Sequence, residues 1–464
     1  MKYKIEVKKF LEEVRIGSID LRDFLMKVKE KCKKIQAEFS PFITLIENLE
    51  QDEKNGKIFG LPISVKDNIC TKNVQTTAGS KILKSYVPPF NATCIENILK
   101  EGGIIIGKTA MDEFGFGTFS VNTFCIPKNP FDKKRSCGGS SGGSACITAL
   151  ADFPHLSIAE STGGSISCPA CFCGVVGLTP TYGLVSRWGL IDYANSLDKI
   201  GCMGKKVWDV ALLLSIISGW DEKDSTSLKV MKKDYTKFLK DGMEKMKIGI
   251  PKEYFENIDE RIDKKVWNGI KILEKLGASY QEISLPLTEY ALPAYYIIAM
   301  AEASTNLAKF CGIRYGSHLK LKEDFNEYFS KVRAKFFGEE AKRRIMLGTF
   351  ARMAGYREAY YLKALKIRRL VIKEFKKVFK KFDVLISPTM PILPPKFKEI
   401  EKLEPVEIYM MDILTVPPNL AGIPHLSIPC GFVKNLPVGM HILADHLQEN
   451  KILKVAYNFE KAIK

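Results

Sequence analysis

Cys137-Gly-Gly-Ser-Ser-Gly-Gly-Ser144 and Ser161-Thr-Gly-Gly-Ser-Ile-Ser167 lie close together in a chain of 464 residues, and their reading decides the rest. A glycine-rich run before a helix can cradle phosphate through backbone N–H groups. A Walker-type loop also supplies a lysine followed by Ser or Thr, which neither segment has. The plain structural alternative is a pair of tight turns. A third element favours chemistry: Val65-Lys66-Asp67-Asn68 closes the apolar run that begins at Leu61, and a lysine there can point into the same pocket. Two serines and a lysine make a nucleophile, a relay and a base. The glycines before Ser165 let consecutive N–H groups face a developing oxyanion.

Other chemistries have less support. A Ser-His-Asp triad would have to recruit one of only 5 histidines, and His155, the nearest to Ser165 in sequence, sits in no associated motif. The 12 cysteines include Cys168, Cys171 and Cys173, but no second cluster or histidine run follows them; they read as reduced, buried thiols, and no metal is expected. The net charge of +17 would favour a polyanion, yet the excess is spread along amphipathic helices, as in Lys363, Lys366, Lys373, Lys376 and Lys377, where a solvated face is the usual meaning. The opening Met1-Lys-Tyr-Lys-Ile-Glu-Val-Lys-Lys lacks the apolar core of a signal peptide, and no apolar stretch approaches the roughly 20 residues of a membrane helix. The expectation is a soluble cytoplasmic protein with no membrane partner.

Apolar spacing predicts two helices within the first 40 or so residues, the second capped by Ser18. From Gly60 onward, short apolar runs (Leu61 to Val65, Ile104 to Ile106) alternate with helices such as Thr93 to Lys100, the texture of an α/β sheet. Residues 219–246 read as a connection to a second half that starts with a strand at Lys247-Ile-Gly-Ile-Pro. One long helix is expected from about Glu339 to Lys381, followed by strands at Val384, Ile423 and Val438 and a closing helix. The whole is read as one domain, 1–464, with N-terminal helices over 1–45, a catalytic core over 50–215 and a substrate-pocket half over 247–464.

Lys66, Gly138-Gly-Ser-Ser-Gly-Gly-Ser144 and Thr162-Gly-Gly-Ser-Ile166, with Gly174-Val-Val-Gly-Leu-Thr-Pro-Thr-Tyr-Gly183 behind them, resemble the amidase signature family in order and spacing. That resemblance implies an α/β/α sandwich with a large mixed sheet covered by helices. It makes Ser165 the acyl-forming nucleophile, Ser141 the relay preceded by a cis peptide bond, Lys66 the base, and the N–H groups of Thr162, Gly163, Gly164 and Ser165 the oxyanion hole. A free lysine is neutral only about 0.04% of the time at pH 7, so Lys66 is expected to be desolvated or set among hydrogen-bond donors and positive potential.

Further along, Ala294 to Ala308, Gly312 to Gly316, Lys342 to Phe350 and Asp412 to Gly422 resemble the A subunits of glutamine-dependent aminoacyl-tRNA amidotransferases. This implies glutamine hydrolysis, B and C subunits as partners, tRNA bound mainly through the B subunit, no cofactor in this chain, and ATP and Mg used by the partner. It offers Asp412 for the substrate ammonium, Arg344 or its neighbour Arg343 for the carboxylate, and Tyr296 for the pocket wall. Ser161 and Ser167 stand where the family usually has Asp and Arg, which reads as an ion pair replaced by a neutral pair. Cys311 and His441 also depart from the pattern. A free-standing amidase and a non-catalytic binding component remain the alternatives.

Overall fold

Aliphatic and β-branched runs of four to nine residues, too short for helices of their own, build the frame. The computed structural model describes residues 5–49, 55–321 and 324–463; residues 1–4 of the opening run, and residue 50 where the catalytic core is expected to begin, lie outside them. The strands are β1 (Phe42–Leu45), β2 (Pro62–Lys66), β3 (Ile104–Thr109), β4 (Leu156–Ser161), β5 (Val176–Thr179), β6 (Lys199–Gly204), β7 (Lys247–Pro251), β8 (Ser279–Ile283), β9 (Val384–Pro388), β10 (His425–Val433) and β11 (Leu436–Leu443). They form one 11-stranded sheet in the order β1-β3-β2-β4-β6-β5-β10-β11-β9-β7-β8. β2 runs parallel to β3 and β4, and β7 parallel to β8 and β9; the other pairs are antiparallel.

The pleat sorts the two faces. Ile158 and Ile200 turn to a core shared with the helices Val207–Ile217, Glu260–Lys275 and Glu449–Ala462. Ala159 and Met203 turn instead to a smaller cluster with Ala145 and Ala170. Those two alanines belong to the helices α4 (Gly142–Leu150) and α5 (Ser167–Phe172), so each serine-rich segment of the sequence leads into a helix lying on this second face. The architecture is an α/β sandwich, as the sequence suggests.

Two local expectations need correction. The second N-terminal helix, Leu21–Phe39, is capped by Asp20, whose carboxylate accepts from Asp23 N, while the Ser18 hydroxyl donates back to the carbonyl of Glu13. The long helix expected over 339–381 is broken into Glu339–Arg352 and Lys363–Val378, joined by a turn in which Gly355 has φ +86° and by one wide helical turn over Glu358–Leu362. The apolar periodicity runs through this break, but the glycine takes a left-handed conformation that ends the first helix.

The helix Glu339–Arg352 lies close against Thr288–Asn306 because Gly348 has no side chain: a Cβ there would sit 1.8 Å from the carbonyl oxygen of Met300. Gly348→Ala is expected to destabilise the protein by about 1–3 kcal/mol or more, through overpacking. Gly17→Ala, with nothing within 4 Å of its Cβ, keeps only the cost of its positive φ. Denaturant unfolding of the two variants checks the contrast.

Candidate active site

β2 ends in Lys66, whose side chain is wholly buried. Its Nζ donates to Ser140 Oγ at 2.8 Å, to Glu160 Oε2 at 2.8 Å and to the carbonyl oxygen of Glu160 at 2.9 Å. The amine is desolvated, as expected, but its neighbours are acceptors and include a carboxylate. The sequence reading asks for donors and positive potential there. The difference arises because β4 runs beside β2 and delivers Glu160 to the amine at its own end.

The serine on the lysine is also not the expected one. The cis peptide bond joins Gly139 to Ser140, and it is the Ser140 hydroxyl that meets Lys66. Ser141 is engaged elsewhere: its hydroxyl donates to the carbonyl of Glu160 at 3.0 Å, and its N–H donates to the carbonyl of Ser165 at 3.2 Å. Ser141 thus ties the glycine-rich run to β4 and to the nucleophile turn, and leaves the lysine to its neighbour.

The turn from β4 to α5 carries Ser165, which is 6% exposed. Among the described residues, the N–H groups of Thr162, Gly163, Gly164 and Ser165 have no acceptor, while the carbonyl of Gly164 accepts from Cys168 N at 2.8 Å. Free donors grouped beside a serine hydroxyl are what a developing oxyanion needs. Gly163 and Gly164 are required by space: a Cβ would lie 2.7 Å from the Tyr295 hydroxyl at the first and 2.3 Å from Thr415 Oγ1 at the second.

Ser161 and Ser167 do not bond to each other. Ser167 Oγ lies 3.1 Å from His425 Nδ1 and 3.4 Å from His441 Nε2, and the two imidazoles are 2.9 Å apart, whereas Ser161 Oγ has no partner among the described residues. Burial pushes His441 down to about 3 and His425 well below its usual value, so the cluster is neutral. His441, without a role in the sequence reading, therefore packs with a serine that replaces an arginine. His155 is occupied with Ser64, its Nε2 3.0 Å from that hydroxyl.

The recognition residues converge. Asp412 Oδ2 accepts from Tyr296 OH at 2.8 Å and from Thr118 Oγ1 at 3.0 Å, and burial pushes this carboxyl up to about 6 against those hydrogen bonds. Arg344 is 3% exposed, with its guanidinium carbon 5.2 Å from the Phe116 ring, 5.6 Å from Tyr193, 5.4 Å from Tyr296 and 5.2 Å from Tyr409. Its Nε donates to Glu340 Oε1 at 2.7 Å and its Nη1 to Tyr193 OH at 2.6 Å. Arg343 bonds the other oxygen of Glu340 from the outside, its side chain 40% exposed. Both arginines line a cavity of about 750 Å³ with Gly117, Glu340 and Tyr409. A second cavity, about 700 Å³, opens around Trp188 and Lys309 and is lined by none of these site residues.

Ser140, Glu160, Thr118, Tyr193, Glu340 and Tyr409 escape the sequence reading. Only Glu340 carries a signal, because an acid four residues before Arg344 on a helix faces it. Among the described residues, no three His, Cys, Asp or Glu side chains gather closely enough to hold a metal ion, and no helix is long and apolar enough to cross a membrane.

A sandwich of this kind with a buried lysine, a serine on it and a second serine in a glycine turn defines a class, and comparison agrees: the chain belongs to the Amidase family, whose sequence profile matches residues 28–453. Within it, the chain is 48% identical over 473 residues to the A subunit of glutamyl-tRNA(Gln) amidotransferase from Thermoanaerobacter pseudethanolicus, covering 99% of this chain and 96% of that one. It is also 48% identical to the protein of the same name from Methanosarcina barkeri, covering 94% and 95%. The crystal structure of the A subunit of glutamyl-tRNA(Gln) amidotransferase from Thermotoga maritima superposes with a TM-score of 0.81 at 38% identity, covering 94% of this chain and 90% of that one.

The geometry separates the adjacent serines by experiment. Ser140→Ala removes the hydroxyl on Lys66 and is expected to lower amide hydrolysis by about 100-fold or more, within the range for loss of a proton-transfer group. Ser141→Ala should cost less than about 10-fold, through loosening of the turn. Steady-state kcat for the two variants, with far-UV spectra to check folding, decides between them.

Proposed function

We infer that this chain is the glutaminase subunit of a tRNA-dependent amidotransferase. Ser165 attacks the side-chain amide of glutamine, Ser140 relays its proton to Lys66, and the oxyanion faces the N–H groups of residues 162–165. The same proton returns through Ser140 to the departing nitrogen, which leaves as ammonia; water then releases glutamate from the Ser165 ester.

The observation that carries the substrate choice is the pairing of Asp412 with Arg344. A free amino acid presents one ammonium and one carboxylate. Asp412 supplies a buried carboxyl for the first, and Arg344, held by four aromatic rings and two hydrogen bonds, supplies a guanidinium for the second. Burial of Arg344 favours it over Arg343, which stands at the mouth. A hydrolase for apolar amides has no use for two opposite charges at this depth.

The relatives' names support the remainder of the reading: a cytoplasmic complex in which B and C subunits join this one, and ATP and Mg serve the partner. Glutamyl- or aspartyl-tRNA is then bound mainly by the B subunit, where the ammonia released here amidates it. Residues 1–464 act in it as one domain, a reading supported by the single sheet that runs through both halves.

Purified chain should hydrolyse glutamine, faster once partner subunits and mischarged tRNA are added, and Ser165→Ala should stop turnover without preventing assembly. Unchanged turnover in Ser165→Ala refutes the site, and activity indifferent to the partners favours a free-standing amidase. The pH dependence has a defined sign. The Asp412 carboxyl, at about 6 with the pocket empty, is ionised above that pH and protonated below it. Only the ionised form attracts an ammonium, so KM for glutamine should rise roughly tenfold per pH unit below 6. In Asp412→Asn, KM should be high and flat across the same range.

A further inference from the structure

Thr162 stands between two buried carboxyl groups. Its hydroxyl oxygen lies 2.9 Å from Glu160 Oε1 and 2.8 Å from Asp198 Oδ1. A threonine hydroxyl has one hydrogen to donate. The other contact, equally short, needs its hydrogen from a carboxyl, since two ionised carboxylates against one hydroxyl would leave a bare oxygen–oxygen approach.

The surroundings say which carboxyl holds it. Glu160 Oε2 receives the Lys66 Nζ at 2.8 Å and Asn68 Nδ2 at 3.1 Å, the setting of an ionised group. Asp198 Oδ2 receives only backbone N–H groups, from Tyr193 at 2.9 Å and Ala194 at 3.0 Å. Burial first, and the Glu160 carboxylate second, raise Asp198 well above the usual carboxylate range. Asp198 therefore donates to Thr162, Thr162 to Glu160, and Lys66 to both Glu160 and Ser140, in one unbroken chain of hydrogen bonds. Other charged and titratable groups act on it from neighbouring segments: Asp112 after β3 on Lys66, and Tyr182 and Arg187 after β5 on Asp198. The carboxylate is also displaced from the family pattern, with Ser161 where an Asp is usual and the acid one residue earlier.

We propose that Glu160 and Asp198, bridged by Thr162, share a single proton, and that Glu160 accepts a proton from Lys66 to turn the ammonium into the base. The inference rests on the Ser165–Ser140–Lys66 reading above and deepens it. In the first step the Nζ–H bond breaks and an O–H bond forms on Glu160 Oε2, giving a neutral amine beside a neutral carboxyl. Attack then moves the Ser165 proton to Ser140 and the Ser140 proton to Lys66, and the same proton goes back to the leaving nitrogen. When Lys66 next ionises with Glu160, the starting pair is restored. Glu160 acts through Lys66 and is a positioning residue; Asp198 keeps Thr162 turned so that its hydrogen meets Glu160.

The test is the pH profile of two variants, read with glutamine and with a fluorophosphonate that labels the serine nucleophile without needing the glutamine pocket. Glu160→Gln should reduce both the glutamine kcat and the labelling rate by about 100-fold or more at pH 7. Activity should return as pH rises, with KM changed less than threefold. In Asp198→Asn an amide N–H replaces the acid O–H toward Thr162, and activity should stay within about threefold of the parent. Thermal melting identifies a misfolded variant, and the infrared carbonyl band of a protonated carboxyl, present in the parent and lost in Asp198→Asn, tests the shared proton independently of turnover. A Glu160→Gln profile that overlays the parent's overturns the proposal, as does a folded Asp198→Asn without activity or a parent without the band. A parent that is labelled normally yet ignores glutamine contradicts the substrate reading and leaves this one standing.

Discussion

An ammonium wholly removed from water must be met on every side, and the core of this protein is organised around meeting that of Lys66. Isolated in a low-dielectric interior, such a charge would cost far more than a domain's net stability. Here it has the Glu160 carboxylate, the Glu160 carbonyl and the Ser140 hydroxyl. Removing one partner of a buried ion pair typically costs about 3–5 kcal/mol, because the other is left uncompensated. The pair therefore locks β4 to β2. The carbonyl that serves the lysine also takes the Ser141 hydroxyl, so the glycine-rich run is fixed by the same group. Ser165 follows on the turn that leaves β4, and its position is inherited from that bond.

Chemistry and recognition are built on different parts of the chain. Lys66, Ser140 and Ser165 come from sheet ends and the turns next to them, where backbone N–H groups can be left free without unravelling a helix. Arg344 and Tyr296 come from the two helices that touch at Gly348, and Asp412 from a short turn beside them. Tyr295, next to Tyr296, lies over Gly163, which joins the recognition helices to the oxyanion turn through a single contact. Arg344 is neutralised by Glu340 before any substrate arrives, and its four aromatic neighbours keep water from the guanidinium while leaving its planar edge for a carboxylate.

What the sequence showed followed physical pattern. β3, β7 and β9 are apolar runs bounded by glycine, proline or charge, and they stand where their patterns place them. Lys66 and Ser165 were legible because glycine and serine crowd around them in an arrangement that packing alone does not need. The choice between Ser140 and Ser141 was not, since two adjacent identical residues differ only in the backbone angles that aim them. Glu160 was hidden inside a strand, where an acid reads as an edge residue until a partner strand supplies the lysine. The break near Gly355 was masked because the apolar spacing on both sides is compatible with one helix. Thr118, Tyr193 and Tyr409 reach the pocket from distant segments, a convergence that no local window contains.

The central claim is that Ser165 becomes esterified during turnover by way of a lysine base. Acid-quenching the enzyme within milliseconds of mixing with glutamine, followed by peptide mass analysis, tests it directly. The account predicts a glutamyl adduct confined to the peptide that contains Ser165, formed in the parent and absent when Lys66 is replaced by Ala. A glutamyl group on a different residue, or unimpaired adduct formation without Lys66, would contradict it.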